Sequence, residues 1–301
     1  MEENEIIELA KTILSKNFDF LVKGIGDDAA VIRLEDNYLL LTSDMMVKET
    51  HIPSILSPSE IAFRVFTANV SDIVAMGGKP ISFLISLGFK KVSREFLESF
   101  YLGLREASNL YNCPVVGGDT VRAETLILSG FCLGLTEKPI YREGRVGDKI
   151  YVTGNLGRVF SSLYIYYNFK DKIKEFEESY PEMFKKLRKP VARVDMLKDK
   201  ELFTGATDIS DGLGREINYF KNFQIYSEKI FKLIPKDVLD FCEEFNLNPL
   251  EVALNSGEEF ELIITSKYKI KKAVEIGEII ERGRYLDDKP FKGRGYIHKF
   301  Y

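Results

Sequence analysis

Histidine is scarce in this chain: His51 and His298 are the two in 301 residues. A metal centre built from several imidazoles, or a relay through more than one, is excluded. Whatever chemistry occurs must run on carboxylates. Cysteine is nearly as thin. Cys113, Cys132 and Cys242 are odd in number and far apart, with no C-x-x-C pair. A disulfide framework, a zinc ribbon or a thioredoxin-like motif is therefore not expected, and the three read as small buried residues. Long hydrophobic runs are missing too; the stretch from Leu126 to Leu135 is interrupted and too short to span a bilayer. The opening MEENEIIELAK is acidic, without the basic region and apolar core of a secretory signal. A soluble, cytoplasmic protein with no membrane partner is expected. There is no basic excess: 42 Lys and Arg stand against 46 Asp and Glu, a net charge of −4. No nucleic-acid partner is expected from that balance.

What is present suffices for two buried cores. The length suggests two domains, and 45% of the residues are apolar. Apolar spacing predicts a short amphipathic helix over 4–16 and strands over Ala29–Leu34 and Tyr38–Thr42. Ser57 and Pro58 read as the cap and first turn of a helix running to Met76, where Gly77 and Gly78 stop it. A strand over Ile81–Phe89, a helix over Ser93–Tyr111, and strands at Val115-Val116 and Leu126–Leu135 complete the first half. The second half opens on a strand at Lys149–Thr153 and a helix entry at Asn155–Gly157. The stretch 169–200 mixes Glu with Lys and reads as solvated surface helices. Leu213–Phe220 is predicted helical, Leu262–Thr265 a strand and Lys271–Ile276 a short helix. The fold class is α/β (α+β), divided into residues 1–137 and 138–301.

Chemistry gathers on aspartates set among Gly, Ser and Thr. The clusters are Gly26-Asp27-Asp28-Ala29-Ala30, Thr42-Ser43-Asp44, Asn69-Val70-Ser71-Asp72, Gly117-Gly118-Asp119-Thr120 and Thr207-Asp208-Ile209-Ser210-Asp211-Gly212. A single such cluster is a turn or a helix cap. Five, mostly without nearby Lys or Glu, suggest carboxylates that converge around cations, since converging acids otherwise repel. Hard oxygen ligands favour Mg²⁺, and Mg²⁺ suits polyphosphates. Two unit charges 4 Å apart interact by about 1 kcal/mol in water and about 4 kcal/mol at an effective dielectric of 20. Joining two phosphate-bearing reactants thus needs cations to cancel several such terms. The P-loop pattern G-x-x-x-x-G-K-[ST] and the H-R-D and D-F-G motifs are absent. The Gly24-x-Gly26 pair lacks the third glycine of a dinucleotide fingerprint.

In that order along the chain, these clusters, together with His51, Met76-Gly77-Gly78-Lys79-Pro80 and Ser256-Gly257-Glu258-Glu259-Phe260-Glu261-Leu262, resemble the thiamine-monophosphate kinase family. The resemblance runs from residue 26 to 262. It implies the two-domain fold shared with aminoimidazole ribonucleotide synthetase and selenophosphate synthetase, with the N-terminal domain pairing in a homodimer. It further implies ATP as co-substrate, several Mg²⁺ ions and thiamine monophosphate as phosphate acceptor. Carried onto this sequence, Asp27, Thr42, Asp44, Asp72, Asp119, Asp208 and Asp211 would be metal ligands, with Asp72, Asp119 and Asp211 central to catalysis. Thr42, Ser43, Gly118, Asp119, Arg142 and Ser210 would lie against ATP. His51 and Glu258 would contact the acceptor, and Tyr296, in the aromatic ending 295–301, would stack on it. The chain departs from the family pattern at Val47-Lys48-Glu49-Thr50 and at Ile52. The resemblance also leaves two rivals: another ATP-using synthetase of the same fold, or an assembly protein that holds ATP without turning it over. A first cysteine as late as Cys113 counts against a selenophosphate synthetase.

Overall fold

Strand and helix segments alternate along the chain and assemble into two sheets in the computed structural model, which describes residues 2–14, 16, 18–293, 295 and 296. The first half holds α1 (Glu3–Leu14), β1 (Leu21–Lys23), β2 (Ala30–Leu34), β3 (Asn37–Val47), α2 (Lys48–His51), α3 (Pro58–Ala75), β4 (Lys79–Phe89), α4 (Arg94–Tyr111), β5 (Val115–Arg122) and β6 (Ile127–Thr136). Its six strands lie in the order β1-β2-β3-β6-β4-β5, antiparallel except for the parallel β4–β5 pair. The second half holds β7 (Lys149–Thr153), α5 (Arg158–Asn168), α6 (Ile173–Ser179), α7 (Pro181–Arg188), β8 (Gly205–Asp208), α8 (Leu213–Glu216), β9 (Phe223–Ile225), α9 (Ser227–Ile230), α10 (Lys236–Glu244), α11 (Pro249–Leu254), β10 (Leu262–Ser266), β11 (Ala273–Ile279), β12 (Arg284–Leu286) and β13 (Lys289–Pro290). Its seven strands run β13-β12-β9-β11-β7-β10-β8.

Helix α3 joins the two halves. Ser57 and Glu60 form a reciprocal capping box at its start, with Pro58 in the first turn, so its orphan N–H groups are satisfied from the first residue. Its positions from Ile61 to Ala75 are buried with the exception of Asp72, because it packs on β3, β4, β6 and α4 of the first half and on β8 and α7 of the second. A helix buried all round needs close neighbours without bulk. Gly130 of β6 supplies this: a Cβ there would lie 2.3 Å from Asn69 Nδ2. Asn69 Oδ1 in turn accepts from the Asp44 backbone N–H at 3.1 Å, tying the helix to the strand that carries the acids.

Three differences from the expected elements stand out, two of them set by strand pairing. Residues 271–276 are not helical; Ala273–Ile279 is strand β11, paired with β7 and β9, and central pairing overrides a helical spacing this short. Strand β3 runs past the expected Thr42 to Val47 and β5 past Val116 to Arg122, because β6 and β4 offer partners along both. The segment 169–200 is only partly solvated: Met183, Phe184 and Leu187 of α7 are fully buried. The three cysteines are buried and unbridged. Among the described residues no helix is long and apolar enough to cross a membrane.

Candidate active site

Three carboxylates from three distant segments meet where α3 passes β8. Asp72 comes from the last turn of α3, Asp208 from the end of β8, and Asp28 from the turn entering β2. Each offers an oxygen, and the three oxygens lie within 4.8 Å of one another. Thr42 Oγ1 donates to Asp72 Oδ2 at 2.5 Å, Ser71 Oγ to Asp208 Oδ2 at 2.6 Å and Thr207 Oγ1 to Asp28 Oδ1 at 3.2 Å. Among the described residues, Asp28 Oδ2 and Asp208 Oδ1 are buried with no hydrogen-bond partner. Burial and repulsion from neighbouring acids push the Asp72 and Asp208 carboxyls well above their usual range. Burial also raises Asp28, against the opposing pull of Arg142. Asp44, next to them on β3, is pushed up to about 6 by burial, then by Asp211, Asp28 and Glu258. Like charges this close, at about 4 kcal/mol per pair for an effective dielectric of 20, cannot all ionise unaided. Unpartnered oxygens and an all-oxygen donor set fit a hard divalent cation such as Mg²⁺.

Arg142 borders this group. Its Nη2 pairs with Asp28 Oδ1, its Nε donates to Thr207 Oγ1 at 3.1 Å, and its guanidinium sits 3.8 Å from the Tyr219 ring centroid. Asp27 is not one of the three converging acids. It lies 3.5 Å from Lys23 Nζ and 3.9 Å from Arg142 Nε. The neighbour that sequence reasoning passed over, Asp28, takes the central place. Glu216 was also missed. It is buried, its carboxyl pushed up to about 8 chiefly by burial, and its Oε1 accepts from Ser210 Oγ and Asp211 N, both at 3.3 Å. It thereby sets the turn that presents those two residues. Nothing in its local sequence signals this, because Ser210 and Asp211 precede it across an irregular turn that carries no periodicity.

A cavity of about 560 Å³ opens beside the acids. Asp44, His51, Asp72, Asp208, Ser210, Asp211, Glu258 and Tyr296 all line it, so most of the expected residues share one space. Phe160, Leu163, Tyr164 and Tyr167 of α5 give it an apolar wall. The departing run 47–50 is the cap and body of α2, which ends on His51, whose Nδ1 accepts from Val47 N at 3.1 Å. Asp211 Oδ2 pairs with Arg215 Nη1 at 2.8 Å, and its carbonyl accepts from Tyr296 N at 3.2 Å. Residues 297–301, the rest of the aromatic ending, lie outside the described residues.

Other expected positions lie apart from this cavity. Ser43 is exposed and donates to the Gly130 carbonyl at 2.9 Å. Asp119 is exposed on the edge strand β5, in a separate groove with Tyr101 and Arg105 of α4. In register, Asp44 faces Gly130, Gly130 faces Ile85 and Ile85 faces Gly118. Three strand spacings, about 14 Å, therefore separate Asp44 from the row beside Asp119. Gly118 has a local reason to be glycine: at φ +153° a Cβ would stand 1.8 Å from the Ile85 carbonyl oxygen.

Two sheets joined by a buried helix, with an acidic cleft at the junction, define an aminoimidazole ribonucleotide synthetase-related protein. The family model for "AIR synthase related protein, N-terminal domain" matches residues 26–136. Over full length, the chain is 53% identical to the thiamine-monophosphate kinase of Methanocaldococcus jannaschii, covering 100% of each chain. It is 36% identical to that of Pyrococcus abyssi, over 96% of this chain and 93% of the other. The solved structure of AaThiL complexed with AMPPCP and TMP superposes with a TM-score of 0.90 at 30% identity, covering 99% of this chain and 97% of that one. The chain belongs to the thiamine-monophosphate kinase family.

Proposed function

We propose that the protein transfers the γ-phosphoryl group of ATP to thiamine monophosphate, giving thiamine diphosphate and ADP, by direct in-line displacement. The observation that carries this reading is the meeting of Asp28, Asp72 and Asp208, two of them with buried oxygens that have no partner among the described residues, beside a cavity with an apolar wall. Asp28, Asp44, Asp72 and Asp208 would hold Mg²⁺, which neutralises charge on the reacting phosphates. Asp211, which lines the same cavity and whose charge acts on Asp44, joins them as a further ligand. Arg142 and Ser210 contribute a cation and a hydroxyl at the nucleotide end. His51, Glu258 and Tyr296 face the acceptor, and the apolar wall shields its rings from water. A phosphate acceptor is largely deprotonated at neutral pH, so no strong general base is needed. Positioning and charge neutralisation supply the rate.

The same proposal includes a homodimer and a cytoplasmic location. The wholly exposed edge strand β5, with Val115, Val116 and Val121 in the open, supports pairing through the first domain. Ser43, Gly118 and Asp119 would then complete the nucleotide site beside the second copy, while Thr42, bonded to Asp72, stays with the metal ligands. The two-sheet layout supports a division into residues 1–137, which would carry metal and dimer contacts, and 138–301, which would close over the substrates. Sedimentation showing a single copy at micromolar concentration would remove the dimer. Incubation with Mg-ATP and thiamine monophosphate should yield thiamine diphosphate. ATP consumption only with another acceptor would point to a different synthetase of this fold, and binding without consumption to an assembly protein.

A further inference from the structure

Arg64 is an anomaly in α3. Its neighbours Phe63, Val65 and Phe66 are core residues, and Arg64 itself is only 1% exposed. Its Nη1 donates to the Leu187 carbonyl in the last turn of α7, and its Nη2 pairs with Glu258 Oε2. Among the described residues its Nε has no partner. A buried ion pair stabilises a fold poorly compared with apolar residues of similar volume, and an unsatisfied N–H adds to the cost. The fold by itself gives no reason to keep arginine here.

The loop on the other side of the pair does. Glu258 and Phe260 both adopt left-handed backbone, at φ 53° and 50°, an uncommon state for such residues. Each carboxylate of the loop has its own anchor. Glu259 Oε1 accepts from Gly157 N at 2.9 Å and Val159 N at 3.2 Å, at the start of α5. Glu261 is held by Lys186 at 2.9 Å and Arg193 at 2.8 Å. Glu258 alone of the three lines the cavity, where its charge reaches Tyr167 and Tyr296. Arg64 occupies its Oε2, leaving Oε1 to meet a ligand.

We infer that Arg64 is a positioning residue for the acceptor: braced by the α7 carbonyl, it fixes the Glu258 carboxylate in the cavity, where Oε1 receives the amine or cationic end of a heteroaromatic substrate. The inference rests on the kinase reading above. Because Arg64 belongs to the first half and Glu258 to the second, the pair also makes acceptor binding depend on how the two halves meet.

Steady-state kinetics on the full-length protein test it. Arg64→Gln should raise KM for thiamine monophosphate about tenfold or more, while kcat and KM for ATP stay within about threefold. Glu258→Gln should do the same, and the double variant should be no worse than either single one, because both act on one contact. Arg64→Lys, which cannot bridge two acceptors in the same way, should fall between wild type and Arg64→Gln. Should Arg64→Gln melt below the assay temperature, the Lys variant carries the test: its acceptor KM must rise while its ATP KM does not. An unchanged acceptor KM, an equal rise for both substrates, or additive effects in the double variant would overturn the inference while wild-type turnover upholds the kinase reading. No thiamine diphosphate from the wild type would overturn the kinase reading itself.

Discussion

Asp27 and Asp28 are chemically identical neighbours with different company, and that makes them separable. Asp27 lies 3.5 Å from Lys23 Nζ and 3.9 Å from Arg142 Nε, whereas Asp28, although paired with Arg142, is the one grouped with Asp72 and Asp208 and, among the described residues, keeps a buried oxygen without a partner. Asp28→Asn and Asp72→Asn should each lower kcat/KM on the order of 10²–10³-fold at saturating Mg²⁺, the scale of losing one preorganised electrostatic contact; Asp27→Asn should cost about tenfold or less. Steady-state assays of the three variants decide it, and a worse defect in Asp27→Asn would reverse the ligand assignment. At this scale the sequence was legible for Asp72 and Asp208, which the structure brings together, but not for Asp119, which sits in a motif and a strand yet lies in a separate groove. The choice between Asp27 and Asp28 was not legible, because an irregular turn has no periodicity to say which side chain points inward. Arg64 and Glu216 were invisible for another reason. Their partners lie 194 and 6 residues away, and neither contact leaves a mark on local pattern.

Elements were easier to read than side chains where their ends carry chemistry. Ser57 as cap and Pro58 in the first turn announce α3, and the structure adds Glu60 to make a capping box, at 3.4 Å for Glu60 N to Ser57 Oγ and 2.7 Å for Ser57 N to Glu60 Oε2. Glu60 also pairs with Arg188 at 3.0 Å, so the box is tied to α7, the helix that braces Arg64. Ser57→Ala removes one of the two reciprocal bonds and should destabilise the protein by about 1 kcal/mol, read as a lower urea midpoint with an unchanged slope. The acceptor KM should stay near wild type, since Pro58 and Glu60 remain to start the helix. A large rise would show that the α3 terminus takes part in positioning the site. By contrast β11, expected as a helix, has no cap or turn signal that decides the matter. Its strand character is settled by β7 and β9 on either side, contacts that a short window of sequence cannot contain.

At the scale of the whole molecule, the junction between the halves stores unfavourable charge. Asp28, Asp44, Asp72, Asp208 and Glu216 all have carboxyls raised above their ordinary values, Asp44 to about 6 and Glu216 to about 8, with burial the largest cause in each. A carboxyl raised by folding binds its proton more tightly in the folded chain than in the unfolded one. Its contribution to stability is therefore full below about pH 4 and is lost as pH climbs through the folded value. The losses should fall mainly between about pH 4 and 8. A tenfold difference in proton affinity between the folded and unfolded chain is worth about 1.4 kcal/mol, and about 1 kcal/mol moves Tm by 2–4 °C in chains of 150–250 residues. The metal-free protein should therefore melt several degrees lower at pH 8 than at pH 5. Mg²⁺ binds the ionised acids and not the unfolded chain, so it should restore Tm most at pH 8 and least at pH 5. Thermal melts across pH, with and without Mg²⁺ but with no nucleotide present, separate this from substrate effects. A Tm that rises with pH in the absence of metal, or a Mg²⁺ increment that is the same at both pH values, would mean that the acids are not in mutual repulsion. The net charge of −4 is thus a poor guide to this protein: what governs it is the placement of five acids at the seam between two sheets.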